Sequence, residues 1–183
     1  MNGIGTMCHE FSHCLGLPDL YDTDNGNNFG MRTWSIMDYG SYNGDGHRPC
    51  GYTSYERWVA GWLEPVELSA NTDVSDMKPI TQEPEAYVIY NDANHDEYYL
   101  LENRQLTSWD DANDGHGLLI LHVDYDKEAW ADNTVNNNPS HQRLTVIHAD
   151  NDTLNTSCAG DPYPGTTGSN SFTDNRIPSA KLY

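Results

Sequence analysis

Residues 5–19 read GTMCHEFSHCLGLPD, and the residue types along this stretch constrain everything around it. Met7, Phe11, Cys14 and Leu15 recur at three- and four-residue intervals, so the spacing predicts a helix over 5–15, with Thr6 and Glu10 favouring its start. Gly16 then stands where a left-handed stop belongs. On such a helix His9 and His13 lie one turn apart on the same face, and two imidazoles so placed converge on one zinc ion. Glu10, beside the first of them, is within reach of an attacking water. Gly16 lets the chain turn back and brings Asp19 to where a third ligand is required. Two histidines and one carboxylate leave a fourth position open, as a catalytic rather than a structural zinc site requires. A competing third ligand is Glu56, on a later helix; that arrangement continues the first helix past the second histidine, which Gly16 and Pro18 oppose.

Beyond Asp19, residues 17–51 are dense in Gly, Asp, Asn and Tyr and read as one long ordered loop. Within it Trp34-Ser35-Ile36-Met37-Asp38-Tyr39-Gly40 has the form of a Met-turn. In GYTSYERWVAGWL (51–63), Thr53 and Glu56 make a capping box, and Tyr55, Trp58, Val59 and Trp62 repeat at helical spacing, predicting a helix over 53–62. After Pro65 the pattern changes. Runs at 86–91, 97–103, 117–125 and 142–148 are rich in β-branched and aromatic residues between polar turns, and read as antiparallel strands. The expected class is α+β, with a boundary near residue 65 between a helix-and-loop part (1–64) and an all-β, sandwich-like part (65–183) that need not be complete at its C-terminus.

Composition narrows the function. Nine Lys and Arg against 28 Asp and Glu give a formal charge of −19, which repels nucleic-acid backbones and anionic membrane surfaces. No apolar run approaches the roughly 18 residues of a membrane span, and the first 30 residues carry no export signal. Five Trp, 12 Tyr and 3 Phe supply enough buriable surface for a folded core. Cys8, Cys14, Cys50 and Cys158 have no zinc-knuckle spacing and read as thiols, a Cys50–Cys158 bond being the alternative. The acidic loops Asp22-Thr23-Asp24-Asn25-Gly26 and Asn43-Gly44-Asp45-Gly46 are the candidate sites for structural calcium, although neither fits the EF-hand template and turn formation alone accounts for them. His47, His95, His116, His122, His141 and His148 are assigned no metal role, those in strands being expected to hydrogen-bond within the sheet.

HEFSHCLGLPDLYD followed by WSIMDYG and GYTSYERWVAGWL resembles the metzincin metallopeptidases, and in particular the immune inhibitor A family of secreted bacterial proteases. The likeness covers about Thr6 to Leu63, and extends more loosely through EYYLLENR, GLLILHVDY and NSFTDNRIPS. It implies the C-terminal part of a metzincin-like catalytic domain, made of active-site helix, Met-turn and second helix. It also implies zinc held by His9, His13 and Asp19, Glu10 as general base and acid, Met37 as the floor of the site, and Tyr39 steadying the tetrahedral intermediate. The activity implied is zinc-dependent endopeptidase cleavage of protein or peptide substrates outside the cell. Metzincins place a helix and a twisted sheet before the active-site helix, so the chain is expected to be a fragment or truncated version of a longer secreted protease. Its first helix should then expose an apolar side, and the isolated chain should be poorly stable and weakly active or inactive. Two other functions fit the residues, a noncatalytic binding module with a vestigial zinc site and a zinc hydrolase of small amides.

Overall fold

A computed structural model describes residues 3–24, 26–154 and 158–183. Helix α1 spans Ile4–His13 and starts at Gly3 without a side-chain cap; Thr6, expected to mark the start, lies inside it. Its end is tightened by bonds from the Cys14, Leu15 and Gly16 amides to the Phe11, Ser12 and His13 carbonyls, and Gly16 takes φ +89°, the left-handed stop expected of it. A Cβ on Gly5 would meet the Ser41 carbonyl oxygen at 1.8 Å, so only glycine lets α1 approach the loop this closely. Ile4, Met7 and Phe11 face solvent, Met7 being 72% and Phe11 63% exposed, which is the uncovered apolar side that the sequence implies.

The loop 17–51 is ordered from within. It contains 3-10 turns at Arg32–Trp34 and Tyr39–Gly46 and buries Leu17, Leu20, Phe29, Met31, Trp34, Ile36 and Met37. Helix α2 (Ser54–Val59) has the capping box read from Thr53 and Glu56, but stops short of the expected residue 62 because Ala60 caps it and Gly61 turns left-handed at φ +74°.

One five-stranded sheet follows, in the order β1 (Val66–Glu67), β2 (Ala86–Asn91), β3 (Asn94–Arg104), β4 (Gly117–Asp124), β5 (Leu144–Val146). The last four pair antiparallel, and the two-residue β1, not foreseen, runs parallel to β2. A short helix α3 (Lys127–Ala131), also unforeseen in an all-β part, is capped by Asp126, whose carboxylate accepts from the Glu128 and Ala129 amides.

The sandwich-like expectation is not what forms: among the described residues there is a single sheet, and the loop 17–51 occupies the face where a second sheet would sit. Leu100, Leu119, Leu121, Val123, Leu144 and Val146 pack there against Leu17, Leu20, Phe29, Trp34 and Met37 in one cluster, drawn from both sides of residue 65. The other face, carrying Tyr99 and Ile120, is covered by Ala149, Tyr163, Phe172 and Leu182. Burial on both faces explains why GLLILHVD reads as a continuous apolar run rather than an alternating one. All four cysteines are free, so no Cys50–Cys158 bond forms.

Two polar groups anchor the sheet. Arg104, fully buried at the end of β3, lies 3.1 Å from Glu102 and 2.7 Å from Asp110, and donates also to the Gly51 carbonyl. Glu102 in turn accepts from the Ser54 amide at the start of α2. His122, on β4, hydrogen-bonds Glu97 at 3.0 Å; burial pushes its pKa below the ordinary 6.5, and the Glu97 carboxylate opposes that only in part.

Arg104→Leu should destabilise the chain by about 3–5 kcal/mol, because two buried carboxylates lose their cation; urea unfolding at neutral pH measures it. His122 is more basic in the unfolded chain than in the folded one, so protons favour unfolding. Its contribution should be complete above pH 6.5 and disappear as pH falls through the lowered folded value. The urea midpoint of His122→Gln should therefore fall less than that of the parent chain between pH 7 and pH 5.

Candidate metal centre

His9 and His13 sit on α1 with ring centroids 5.0 Å apart and planes nearly perpendicular. Each ring is oriented through its Nδ1, which donates to a main-chain carbonyl, Ile36 at 2.9 Å for His9 and Leu17 at 2.8 Å for His13. A neutral imidazole that donates from Nδ1 presents a lone pair at Nε2. Both Nε2 atoms point to the same oxygen, Oδ1 of Asp19, at 3.1 and 3.5 Å. Among the described residues these three side chains form a group whose ligand atoms all lie within 4.8 Å of one another.

The Asp19 carboxylate is buried, and its Oδ1 accepts no hydrogen bond. Three lone-pair donors facing one point repel each other unless a cation lies among them, and two imidazole nitrogens with one carboxylate oxygen suit a borderline divalent ion. Without such an ion a proton is the substitute. Accordingly the contact with Asp19 raises the His9 pKa above 6.5 against the opposing effect of burial. Burial alone would push Asp19 up, but contacts with His9 and Asn133 and the charge of His13 outweigh it and hold the carboxyl below its ordinary value.

The cleft beside the group, about 390 Å³, is lined by His9, Glu10, Tyr21, Asp38, Tyr39 and Tyr42. Glu10 is exposed, on the cleft side of His9. Tyr39 is half exposed at the rim, with the Arg32 guanidinium 5.0 Å from its ring centroid. Asp38 is buried beneath it; burial pushes its carboxyl up to about 7 despite donation from the Met31, Arg32 and Tyr39 amides. Met37 is fully buried, and its carbonyl accepts from the Leu20 amide.

Glu56, the competing third ligand, is engaged elsewhere. One of its oxygens accepts from the Ser35 hydroxyl at 2.6 Å and the Met37 amide at 3.4 Å, the other from the amide and hydroxyl of Thr53. It thereby ties α2 to the turn at 35–37, and that turn presents the Ile36 carbonyl to His9. The acidic loops 22–26 and 43–46 contribute no further group of three metal-binding side chains among the described residues; Asn25 lies outside them. Asp22 accepts from the Asp24 amide in a local turn, and Asn43 donates to Thr33 and Asn113.

Sequence reasoning missed two neighbours of Asp19. Tyr21 stacks on His9 at 6.4 Å, and its phenol is pushed up by burial and by the Asp19 carboxylate. Asn133 lies 114 positions along the chain and holds both the amide and the second oxygen of Asp19. Its only signal in the sequence is a polar run, 132–138, that reads as turn chemistry.

Residues 1–64 match the family described as immune inhibitor A peptidase M6, catalytic domain. The chain is 37% identical over 76 residues to the pre-pro-metalloprotease PrtV of Vibrio cholerae serotype O1, a match covering 37% of this chain and 8% of that protein. It is 34% identical over 74 residues to immune inhibitor A of Bacillus thuringiensis subsp. alesti, covering 36% of this chain and 11% of that one. The chain thus matches about a tenth of the length of these curated relatives. No solved structure matches it. The resemblance to the immune inhibitor A peptidases therefore holds over the residues that carry the histidine pair, Asp19 and the turn at 34–40.

Glu56→Ala removes the acceptor of the Ser35 hydroxyl and of the Thr53 amide, both buried, while the Met37 amide keeps the Ser35 Oγ at 2.9 Å. At about 1–3 kcal/mol for each orphaned group, the chelator-treated chain should lose at least about 2 kcal/mol in a urea titration.

Proposed function

We propose that this chain carries the metal site of a zinc-dependent endopeptidase, in which His9, His13 and Asp19 hold zinc and Glu10 moves the proton. The observation that carries the reading is the buried Asp19 Oδ1, without a hydrogen bond and faced by two Nε2 atoms. The match of residues 1–64 to a peptidase catalytic domain supports it, as does the metalloprotease name of one relative. When bound, zinc supplies Lewis acidity, making a water acidic near neutral pH and polarising a peptide carbonyl.

The protein's own groups do the rest. The Ile36 and Leu17 carbonyls fix both imidazoles in the tautomer that offers Nε2. Glu10, next to His9 and open to the cleft, accepts the proton of the attacking water and passes it to the leaving amine, with no covalent intermediate. Tyr39, which lines the same cleft, has a hydroxyl to offer to the oxyanion that develops at the scissile carbonyl. The cleft opens to solvent beside α1, which suits an extended peptide better than an enclosed small molecule. No helix among the described residues is long and apolar enough to cross a membrane. We place the protein outside the cell, as part of a longer protease, with residues 1–64 as catalytic-domain sequence and 65–183 as the part that buttresses it.

Zinc titration of the 183-residue chain by a competing chromophoric chelator, paired with casein digestion, tests the reading. One zinc per chain, lost in His13→Ala and retained in Glu10→Gln, is expected. Any casein cleavage should cease in Glu10→Gln, with a fall of at least about 100-fold. Equal zinc uptake by the parent chain and His13→Ala would overturn the assignment.

A further inference from the structure

Asp19 offers one oxygen to the histidine pair because its other groups are already held. Its amide donates to Oδ1 of Asn133 at 2.7 Å, and its Oδ2 accepts from Nδ2 of the same side chain, also at 2.7 Å. A single amide thus grips both the backbone and the carboxylate of one residue. The grip is itself anchored at the end of α3. Asn133 takes the left-handed conformation, φ +57°, its amide bonds the Trp130 carbonyl, and the next amide, Thr134, bonds the Ala129 carbonyl. That pairing is a Schellman stop with Asn133 in the left-handed position. The Asn133 carbonyl also accepts from the Thr23 hydroxyl, and Asn137 bonds the amide and hydroxyl of Thr23.

Helix termination alone does not account for asparagine here. Glycine fills a left-handed stop with less strain, whereas only a side chain bearing both an acceptor and a donor makes the two contacts with Asp19. Aspartate would keep the acceptor and set a second negative charge against Oδ2.

On the metal reading above, we infer that Asn133 is a positioning residue for the site. It fixes the Asp19 carboxylate so that only Oδ1 is presented to His9 and His13, and so couples metal affinity to a segment about 70 residues beyond the catalytic-domain match. The residue touches neither substrate nor reacting atoms and acts through Asp19.

The test compares the parent chain with Asn133→Gly, Asn133→Asp and, as a loop control, Asn137→Ala. Zinc affinity is read by chelator competition, cobalt(II) visible absorption reports the ligand field, and urea unfolding in chelator reports the fold. Asn133→Gly keeps the helix stop but leaves the Asp19 amide and Oδ2 without their partner, so it should fold with lowered metal-free stability while zinc affinity falls about 10- to 100-fold. Asn133→Asp should lose affinity as well, and both variants should change the cobalt spectrum. Asn137→Ala should lower stability and leave the cobalt spectrum as in the parent chain. Parent-like zinc affinity and cobalt spectrum in a folded Asn133→Gly overturn the role of Asn133 alone. A parent chain that binds no zinc, or binds it equally well as His13→Ala, overturns the metal reading and this inference together.

Discussion

A carboxylate oxygen removed from water and given no hydrogen-bond donor is costly, and the region around α1 is organised about one such atom, Oδ1 of Asp19. Relaxation to a less costly state is blocked on every side. The other oxygen and the backbone of Asp19 are held by Asn133, and the chain before it is pinned where the Leu17 carbonyl receives His13. The Leu20 amide after it is bonded to Met37. Two imidazoles that elsewhere would serve as donors are turned so that each shows a lone pair. The arrangement is stable in the presence of positive charge at its centre, which a proton supplies weakly and a divalent ion strongly.

Holding that geometry takes most of the molecule. The sheet buries its two faces unequally in kind: one packs on the apolar residues of the loop 17–51, the other on the C-terminal segment. Through the first face the turn at 35–37 and the segment 17–20 acquire a rigid floor. Around the rim, side chains of the segment 133–145 reach back to residues 19–30: Asn136 bonds the Leu20 carbonyl, Gln142 the Gly30 amide and Thr145 the Gly30 carbonyl. The family match ends at residue 64, yet the atoms that orient Asp19 come from residue 133. The division between a catalytic part and a downstream part therefore describes where sequence likeness ends, while the forces that shape the centre cross it.

The helix α1, the left-handed Gly16, the capping box at Thr53 and the four longer strands were readable because each carries its signal in its own run of residues, although the strands pair with distant partners. Periodicity and spacing also placed His9, His13 and Asp19 in one neighbourhood, since a helical turn and five intervening residues leave the chain few alternatives. Features that depend on distant partners were not readable. Glu56 was read as a cap, with a metal-ligand role as the competing reading that Gly16 and Pro18 oppose, and its contacts with Ser35 and Met37 show what its other oxygen does. The single sheet was read as sandwich-like because strands rich in β-branched and aromatic residues say that their faces are covered without saying by what. Asn133 carried no signal beyond turn chemistry: its contact with Asp19 spans 114 positions and depends on where α3 stops.

The histidines themselves divide by what they face, and the division bears on the chemistry. His122, His141 and His148 each pair with a carboxylate, Glu97, Asp124 and Asp161. A carboxylate partner adds negative charge to the pair, which suits a structural anchor. His9 and His13 face the Asp19 carboxylate through Nε2, but their Nδ1 atoms donate to neutral main-chain carbonyls, so their orientation is fixed without a second anionic charge. On the proposed reading one carboxylate against a divalent ion leaves a net positive centre in a chain whose formal charge is −19. A residual positive charge polarises a peptide carbonyl and acidifies water more strongly than a neutralised one would. On that reading, an acid in place of either carbonyl acceptor would hold the ring as firmly and weaken that effect.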